Sequence, residues 1–133
     1  MNDMNTTEAL LARDRFAALS GIVLLKAENG TAEASMEIGP QHLNGIGIVN
    51  GGAVYTLADF VMAAAANSRE EASAVSLTTT ITFMAARKCG VLMARAREVS
   101  LKRSVATYQV DVTDDAGEMV ASLTGMVYRK FKL

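Results

Sequence analysis

Apolar and polar residues alternate along most of this chain, and one long stretch replaces the alternation with a helical period. Thr31–Ile38 sets Ala32, Ala34, Met36 and Ile38 against Thr31, Glu33, Ser35 and Glu37, the two-residue period of a half-buried strand. The run before it, Ile22–Glu28, reaches it through Asn29-Gly30, a dipeptide suited to a two-residue hairpin turn. From Gly51 to Ala66 the period changes. Val54, Leu57, Ala58, Val61, Met62 and Ala65 fall on one face of a helix, Asn50 is placed as its N-cap, and Asn67-Ser68 ends it.

The second half returns to strands. Val75, Leu77, Thr79, Ile81 and Phe83 alternate with Ser76, Thr78, Thr80, Thr82 and Met84. Val91–Val99 follows, then Ser104–Thr113 with Ala106, Tyr108, Val110 and Val112 on one side. Asp114-Asp115-Ala116-Gly117 is a turn, and Met119–Tyr128 runs back. At the other end, Thr6–Leu19 reads as a leading helix with Leu10, Leu11 and Phe16 or Ala17 as its apolar side. Residues 39–50 hold Gly39, Pro40, Asn44, Gly45, Gly47 and Asn50, and form a loop. Short turns between successive strands imply antiparallel pairing. The expected class is α+β, one long helix on a face of a six-stranded antiparallel sheet.

The length of 133 residues fits a single domain over 1–133, with no repeat and no Pro-, Gly- or Ser-rich linker. Half the residues are hydrophobic and 20% are charged, as in a globular protein with a sizeable core. The net charge of -1 argues against nucleic acid as a partner, since phosphate binding needs a basic excess. No apolar run approaches the ~20 residues of a membrane span. The first 19 residues carry Asp3, Glu8 and Asp14 and lack the basic start of a signal peptide, so the default placement is the cytoplasm. One Cys, Cys89, excludes an intrachain disulfide, and one His, His42, excludes a His-rich metal site. No metal or cofactor is expected.

The candidate chemistry lies at the start of the long helix. Gly51-Gly52 leaves backbone N–H groups accessible at the positive end of the helix dipole, which suits a developing oxyanion. Asp59 stands two turns on, in an otherwise apolar helix, where a carboxylate must find a partner, face water or take a raised pKa. Helix packing for the glycines and a solvated flank for the acid are the structural alternatives. Gly51 and Asp59 are eight residues apart, ~12 Å along a helix axis at ~1.5 Å per residue. One carbonyl carbon cannot lie ~3 Å from both within one chain. If both act on one substrate, Gly51 of one protomer faces Asp59 of another.

The run His42-Leu43-Asn44, Gly51-Gly52 and Leu57-Ala58-Asp59, with the later strand Val75-Ser76-Leu77-Thr78, resembles the hotdog-fold acyl-CoA thioesterases of the phenylacetic-acid-degradation type. The resemblance covers roughly residues 20–130. It implies a curved antiparallel sheet wrapped around the long helix, protomers that join their sheets in a homodimer, and often a dimer of dimers. It also implies metal-free hydrolysis of acyl-CoA, often with an aryl acyl group. By position, Asp59 matches the catalytic carboxylate, as nucleophile or as general base on water. Gly51 matches the residue whose N–H polarises the thioester carbonyl. Asn44 matches a polar residue supporting the attacking group, and Ser76 a hydroxyl that orients water in some members. Many relatives have His directly before the Gly-Gly pair where this chain has Asn50, a neutral amide and a better N-cap.

Arg87-Lys88 and Lys102-Arg103-Ser104 read either as solvated turns or as holders of coenzyme A phosphates. Tyr55, one turn before Asp59, reads as an acyl-pocket wall or as core. His42 reads as loop packing ahead of any functional role, and Cys89 lacks a neighbouring His to make it a nucleophile. The eight Met residues suit adaptable apolar packing. The leading function is hydrolysis of a small or aromatic acyl-CoA to free acid and CoA across a dimer interface. The alternative is a non-catalytic acyl-CoA-binding protein of the same fold. A hydratase would need a His partnered with Asp59, and His42 is not at such a spacing.

Overall fold

The computed structural model describes residue 9 and residues 11–131. A short helix, α1 (Arg15–Leu19), precedes β1 (Ile22–Glu28) and β2 (Thr31–Glu37). A 3-10 turn over Pro40–His42 leads to the long helix α2 (Gly51–Asn67). Four strands follow: β3 (Ala72–Phe83), β4 (Val91–Leu101), β5 (Val105–Thr113) and β6 (Met119–Phe131). The sheet has six strands in the order β1-β2-β4-β5-β6-β3, and each pairing is antiparallel. α2 touches every strand. A flat sheet of this kind is about 24 Å across at ~4.8 Å per strand, more than twice the width of a helix. Its edges reach α2 only because the sheet curves around it.

The patterns account for the layers. Ala32, Ala34 and Met36 of β2, and Ala106, Tyr108, Val110 and Val112 of β5, are all buried against the helix. Val54, Leu57, Ala58, Val61, Met62 and Ala65 form the buried face of α2, as their spacing predicts. Burial extends further round, to Phe60, Ala64 and Ala66, because strands cover the helix on several sides. Asn29 and Gly30 both take positive φ, 51° and 81°, as a primed hairpin turn requires.

Two expectations are corrected. The leading helix over Thr6–Leu19 is not continuous: residues 9, 11 and 12 are helical, the helix breaks at Arg13-Asp14, and α1 starts afresh at Arg15, capped by Asp14, whose carboxylate accepts the Ala17 N–H at 3.0 Å. A capping residue competes with helix continuation by offering the backbone a side-chain acceptor. Ala17 is its buried residue and Phe16 is exposed, while Leu10 and residues 1–8 lie outside the described residues. The second correction is in β3, where the alternation does not run through. The register against β6 shifts between Ser76 and Thr78, so that Leu77 is the extra residue of a β-bulge. Val75 and Leu77 are exposed, 66% and 52%, although they lie in the same alternating set as Thr79 and Ile81.

Candidate active site

The approach to α2 is a loop tied down by its own side chains. Asn44 Oδ1 accepts the N–H groups of Ile46 at 3.0 Å and Ile48 at 3.2 Å, and the Asn44 and Ile48 backbones pair at 2.8 Å. His42 is buried beneath the loop. Its Nδ1 accepts the Gly39 N–H at 2.9 Å, so Nε2 carries the proton and donates to the Ser20 carbonyl at 2.7 Å. Both ring nitrogens are held by backbone, which makes His42 a loop-packing residue.

At the helix start the donors divide unequally. The Asn50 N–H donates to the His42 carbonyl, and those of Ala53 and Val54 reach the Asn50 carbonyl. Asn50 Oδ1 accepts the Gly52 N–H at 2.7 Å, the capping role expected of it. Gly51 N–H has no partner among the described residues and sits where the helix dipole is most positive. A groove of about 450 Å³ runs beside it, lined in part by Asn44, Val54, Phe83 and Met84. The Phe83 ring lies so close to Gly51 that a Cβ there would stand 3.2 Å from Cζ.

Asp59 lies on the flank of α2 facing β3. It is half-buried, and its Oδ1 accepts a hydrogen bond from the Ser76 hydroxyl at 3.3 Å. Burial pushes its carboxyl above the ordinary carboxylate value. The Ser76 bond pulls the other way, and the negative charge of Asp14 on the neighbouring segment adds to the rise. A raised carboxylate is a stronger base and is closer to the pKa that general-base chemistry favours. One turn back, the Tyr55 and Thr79 hydroxyls pair at 2.7 Å.

The structure thus joins Asp59 to Ser76, and Gly51 to Asn44 through the groove, but keeps the two halves apart along α2. It also separates the basic spots. Arg87 and Lys88 precede β4 and Lys102–Ser104 follow it, ~33 Å apart at ~3.3 Å per strand residue. Arg87 is engaged by Asp114 at 2.8 Å and Glu118 at 3.1 Å. Arg103 stacks on the Phe131 ring at 4.5 Å, and the Lys102 carbonyl accepts from Arg129. Lys88, Lys102 and Ser104 are exposed, as is the thiol of Cys89.

Sequence reasoning missed the Thr79 hydroxyl, the Phe83 ring and the field of Asp14. Phe83 and Thr79 stood in a pattern that assigned them only to a strand face. The charge of Asp14 reaches Asp59 through tertiary packing that no local pattern records.

No helix among the described residues is long and apolar enough to cross a membrane. A family model described as the thioesterase superfamily matches residues 46–121, which include Gly51, Asp59 and Ser76. Acyl-coenzyme A thioesterase PaaI of Escherichia coli is 30% identical over 122 residues, 91% of this chain and 86% of the relative. A solved structure of the E. coli PaaI protein superposes with a TM-score of 0.87, covering 92% of this chain and 88% of the other, at 28% identity. A mutant of the phenylacetic acid degradation protein PaaI from Thermus thermophilus is 36% identical, with a TM-score of 0.82 and coverage of 88% and 100%. A Streptococcus mutans protein solved with acetyl-CoA is 26% identical, with a TM-score of 0.78 and coverage of 84% and 90%. With its helix wrapped by a six-stranded antiparallel sheet, this chain belongs to the thioesterase superfamily as a PaaI-like hotdog-fold thioesterase.

Proposed function

We propose that the protein hydrolyses acyl-CoA thioesters, with Asp59 as the reacting carboxylate and the Gly51 N–H as oxyanion donor. The observation that carries this reading is Asp59 itself, a half-buried acid on an apolar helix, held by a hydroxyl and raised in pKa. The relatives named as acyl-CoA thioesterases and the acetyl-CoA-bound neighbour supply the substrate class.

The reaction balances in either of two forms. As general base, Asp59 takes a proton from water, and the water oxygen bonds to the thioester carbonyl carbon. As nucleophile, its own oxygen forms that bond and water later releases the acid. In both, negative charge collects on the carbonyl oxygen at the Gly51 N–H, the C–S bond breaks, and the thiolate leaves to be protonated. Ser76 orients the carboxylate. Asn44 and the cap residue Asn50 hold the donor end in shape. An oxyanion donor of this type contributes roughly 10²–10³-fold to rate.

Gly51 and Asp59 are too far apart along one helix to act on one carbonyl, so the site is composite, with two protomers each supplying one half. β3 supports this reading. It is an edge strand, and Val75, Leu77, Phe83 and Met84 along it and just beyond are more than half exposed. An unpaired strand with exposed apolar side chains is a template for a second strand. A homodimer joined at β3, with dimers pairing further, is the assembly proposed. The exposed cations Lys88, Lys102 and Arg103 are the candidates for coenzyme A phosphates, Arg87 being already neutralised by two acids.

The test is thiol release from a panel of aryl, short and long acyl-CoAs. The wild-type protein turns over at least one class, and Asp59→Asn abolishes turnover while sedimentation shows the dimer intact. Full activity in Asp59→Asn would overturn the site. Saturable acyl-CoA binding without thiol release would leave the protein a non-catalytic binder.

A further inference from the structure

Along the seam between α2 and β3, Asn67 closes the C-terminal end of the helix by bonding the N–H and the carbonyl of Ala74, and two side-chain rungs join helix and strand nearer the helix start. Asp59 meets Ser76 at 3.3 Å, and one turn earlier Tyr55 meets Thr79 at 2.7 Å. The spacing of these rungs is not what a regular strand provides. Ser76 and Thr79 are three residues apart, and residues three apart on a regular strand point to opposite faces. The bulge at Leu77 removes that conflict. Ser76 stands opposite Val127 and Thr79 opposite Gly125, two rungs apart on β6, so both hydroxyls face the helix. Two strand steps cover ~6.6 Å, and the four residues from Tyr55 to Asp59 rise ~6 Å along α2. The bulge therefore matches the hydroxyl spacing of β3 to one turn of the helix.

The rungs are unequal. At 3.3 Å the bond to Asp59 is long for a hydroxyl donating to a carboxylate. At 2.7 Å the Tyr55–Thr79 bond has the usual length for paired hydroxyls. β3 is held by β6 on one flank alone, so beyond the Asn67–Ala74 anchor its distance from α2 depends on such side-chain contacts. Gly125 clears room for the firmer rung: a Cβ there would meet the Met62 sulfur and stand 3.0 Å from Thr79 Cγ2.

We propose that the Tyr55–Thr79 hydroxyl pair is a positioning brace that keeps Ser76 in reach of Asp59. This rests on the reading of Asp59 as the reacting carboxylate. Neither hydroxyl is required to touch the substrate. The pair fixes the gap across which Ser76 addresses the acid. Asp14 is the other group whose charge reaches Asp59, and it lies on the segment before β1, outside the brace.

The test uses Tyr55→Phe, Thr79→Val and Thr79→Ser in the full chain. The first two each lower kcat about tenfold with KM within twofold, the double variant is no slower than either single, and Thr79→Ser restores the rate. Unchanged kcat, or losses that multiply in the double variant, would overturn the brace. A second readout is independent of turnover: titration of the Asp59 carboxyl by NMR. Ser76→Ala shifts that titration in the wild-type background and leaves it unmoved in Tyr55→Phe. An equal shift in both backgrounds overturns the proposal. If the wild-type protein releases no thiol, the catalytic reading fails while the titration still decides the brace.

Discussion

Asn50 Oδ1 holds the Gly52 N–H at 2.7 Å, so that of the two glycines opening α2 only Gly51 offers its amide outward. The cap and the proposed oxyanion donor are consecutive residues with different surroundings. Removing the cap loosens the turn that aims the donor. Asn50→Ala is expected to cost about 1 kcal/mol in chemical denaturation, and Asn50→Asp to preserve stability, since a carboxylate at a helix N-terminus is favoured by the dipole. Comparing the denaturation midpoints of the three proteins checks this.

Asp59 imposes a stability cost with a definite pH dependence. Its folded pKa is raised above the ordinary value of 3.8, so the folded chain holds this proton more tightly than the unfolded chain. Stability contributed by the group falls as pH rises from about 3.8 through the raised value, and stays low above it. Asp59→Asn removes the burden of the buried charge. The expected outcome is a higher melting temperature than wild type at pH 7, a difference that shrinks towards zero as the pH is lowered to 3.8. Calorimetry at a series of pH values measures it, and a variant less stable than wild type at neutral pH would contradict the assignment of burial as the dominant cause.

The contact between Gly51 and Phe83 predicts a compensating pair. A methyl at position 51 would press on a ring 3.2 Å away, moving either the ring or the helix start. Gly51→Ala should lower thiol release by about 10–100-fold, the scale of an ångström-sized misplacement. Adding Phe83→Ala should recover most of the loss by clearing the space. Failure of the second change to help would mean that the methyl obstructs substrate and not the ring.

At the far end of α2 a different acid behaves oppositely. Glu98 accepts two bonds from Arg69, at 2.8 and 3.0 Å, and one from the buried Tyr108 hydroxyl at 2.8 Å. The Arg69 bonds hold its carboxyl below the ordinary 4.5, so its contribution is present above that pH and is lost as pH falls through the folded value. Glu98→Gln should destabilise the fold by about 1.5–3 kcal/mol at pH 7, as expected for hydrogen bonds to a charged group. The same variant should flatten the acid limb of the stability curve, which urea titrations at pH 7 and pH 4 would record.

The parts of the fold that could be read from the sequence are those governed by an unbroken local period. Ala32, Ala34 and Met36 in β2 and the Val54–Ala65 face of α2 required only counting. β3 could not be read that way, because nothing in Val75-Ser76-Leu77-Thr78 announces that one residue will be left out of the ladder. Composition treats such a strand as regular, and the extra residue is set by pairing with β6. The same holds for Asp14, a capping residue type in a stretch whose apolar spacing favoured a longer helix. In the candidate site, Asp59 and Gly51 could be singled out because a lone acid in an apolar helix and a glycine pair at its start are chemically unusual. Arg87 and Lys88 were readable as charge but not as availability, since Asp114 and Glu118 reach Arg87 only once the chain has turned back.

Under the proposed pairing of protomers at β3, the open rim of that strand also bears on how the polypeptide refolds. Until that flank is occupied, its amides and carbonyls can template any extended segment they encounter. Recovery from denaturant should therefore depend on protein concentration: extreme dilution strands sticky protomers, crowding invites disordered clumping, and yield peaks between them.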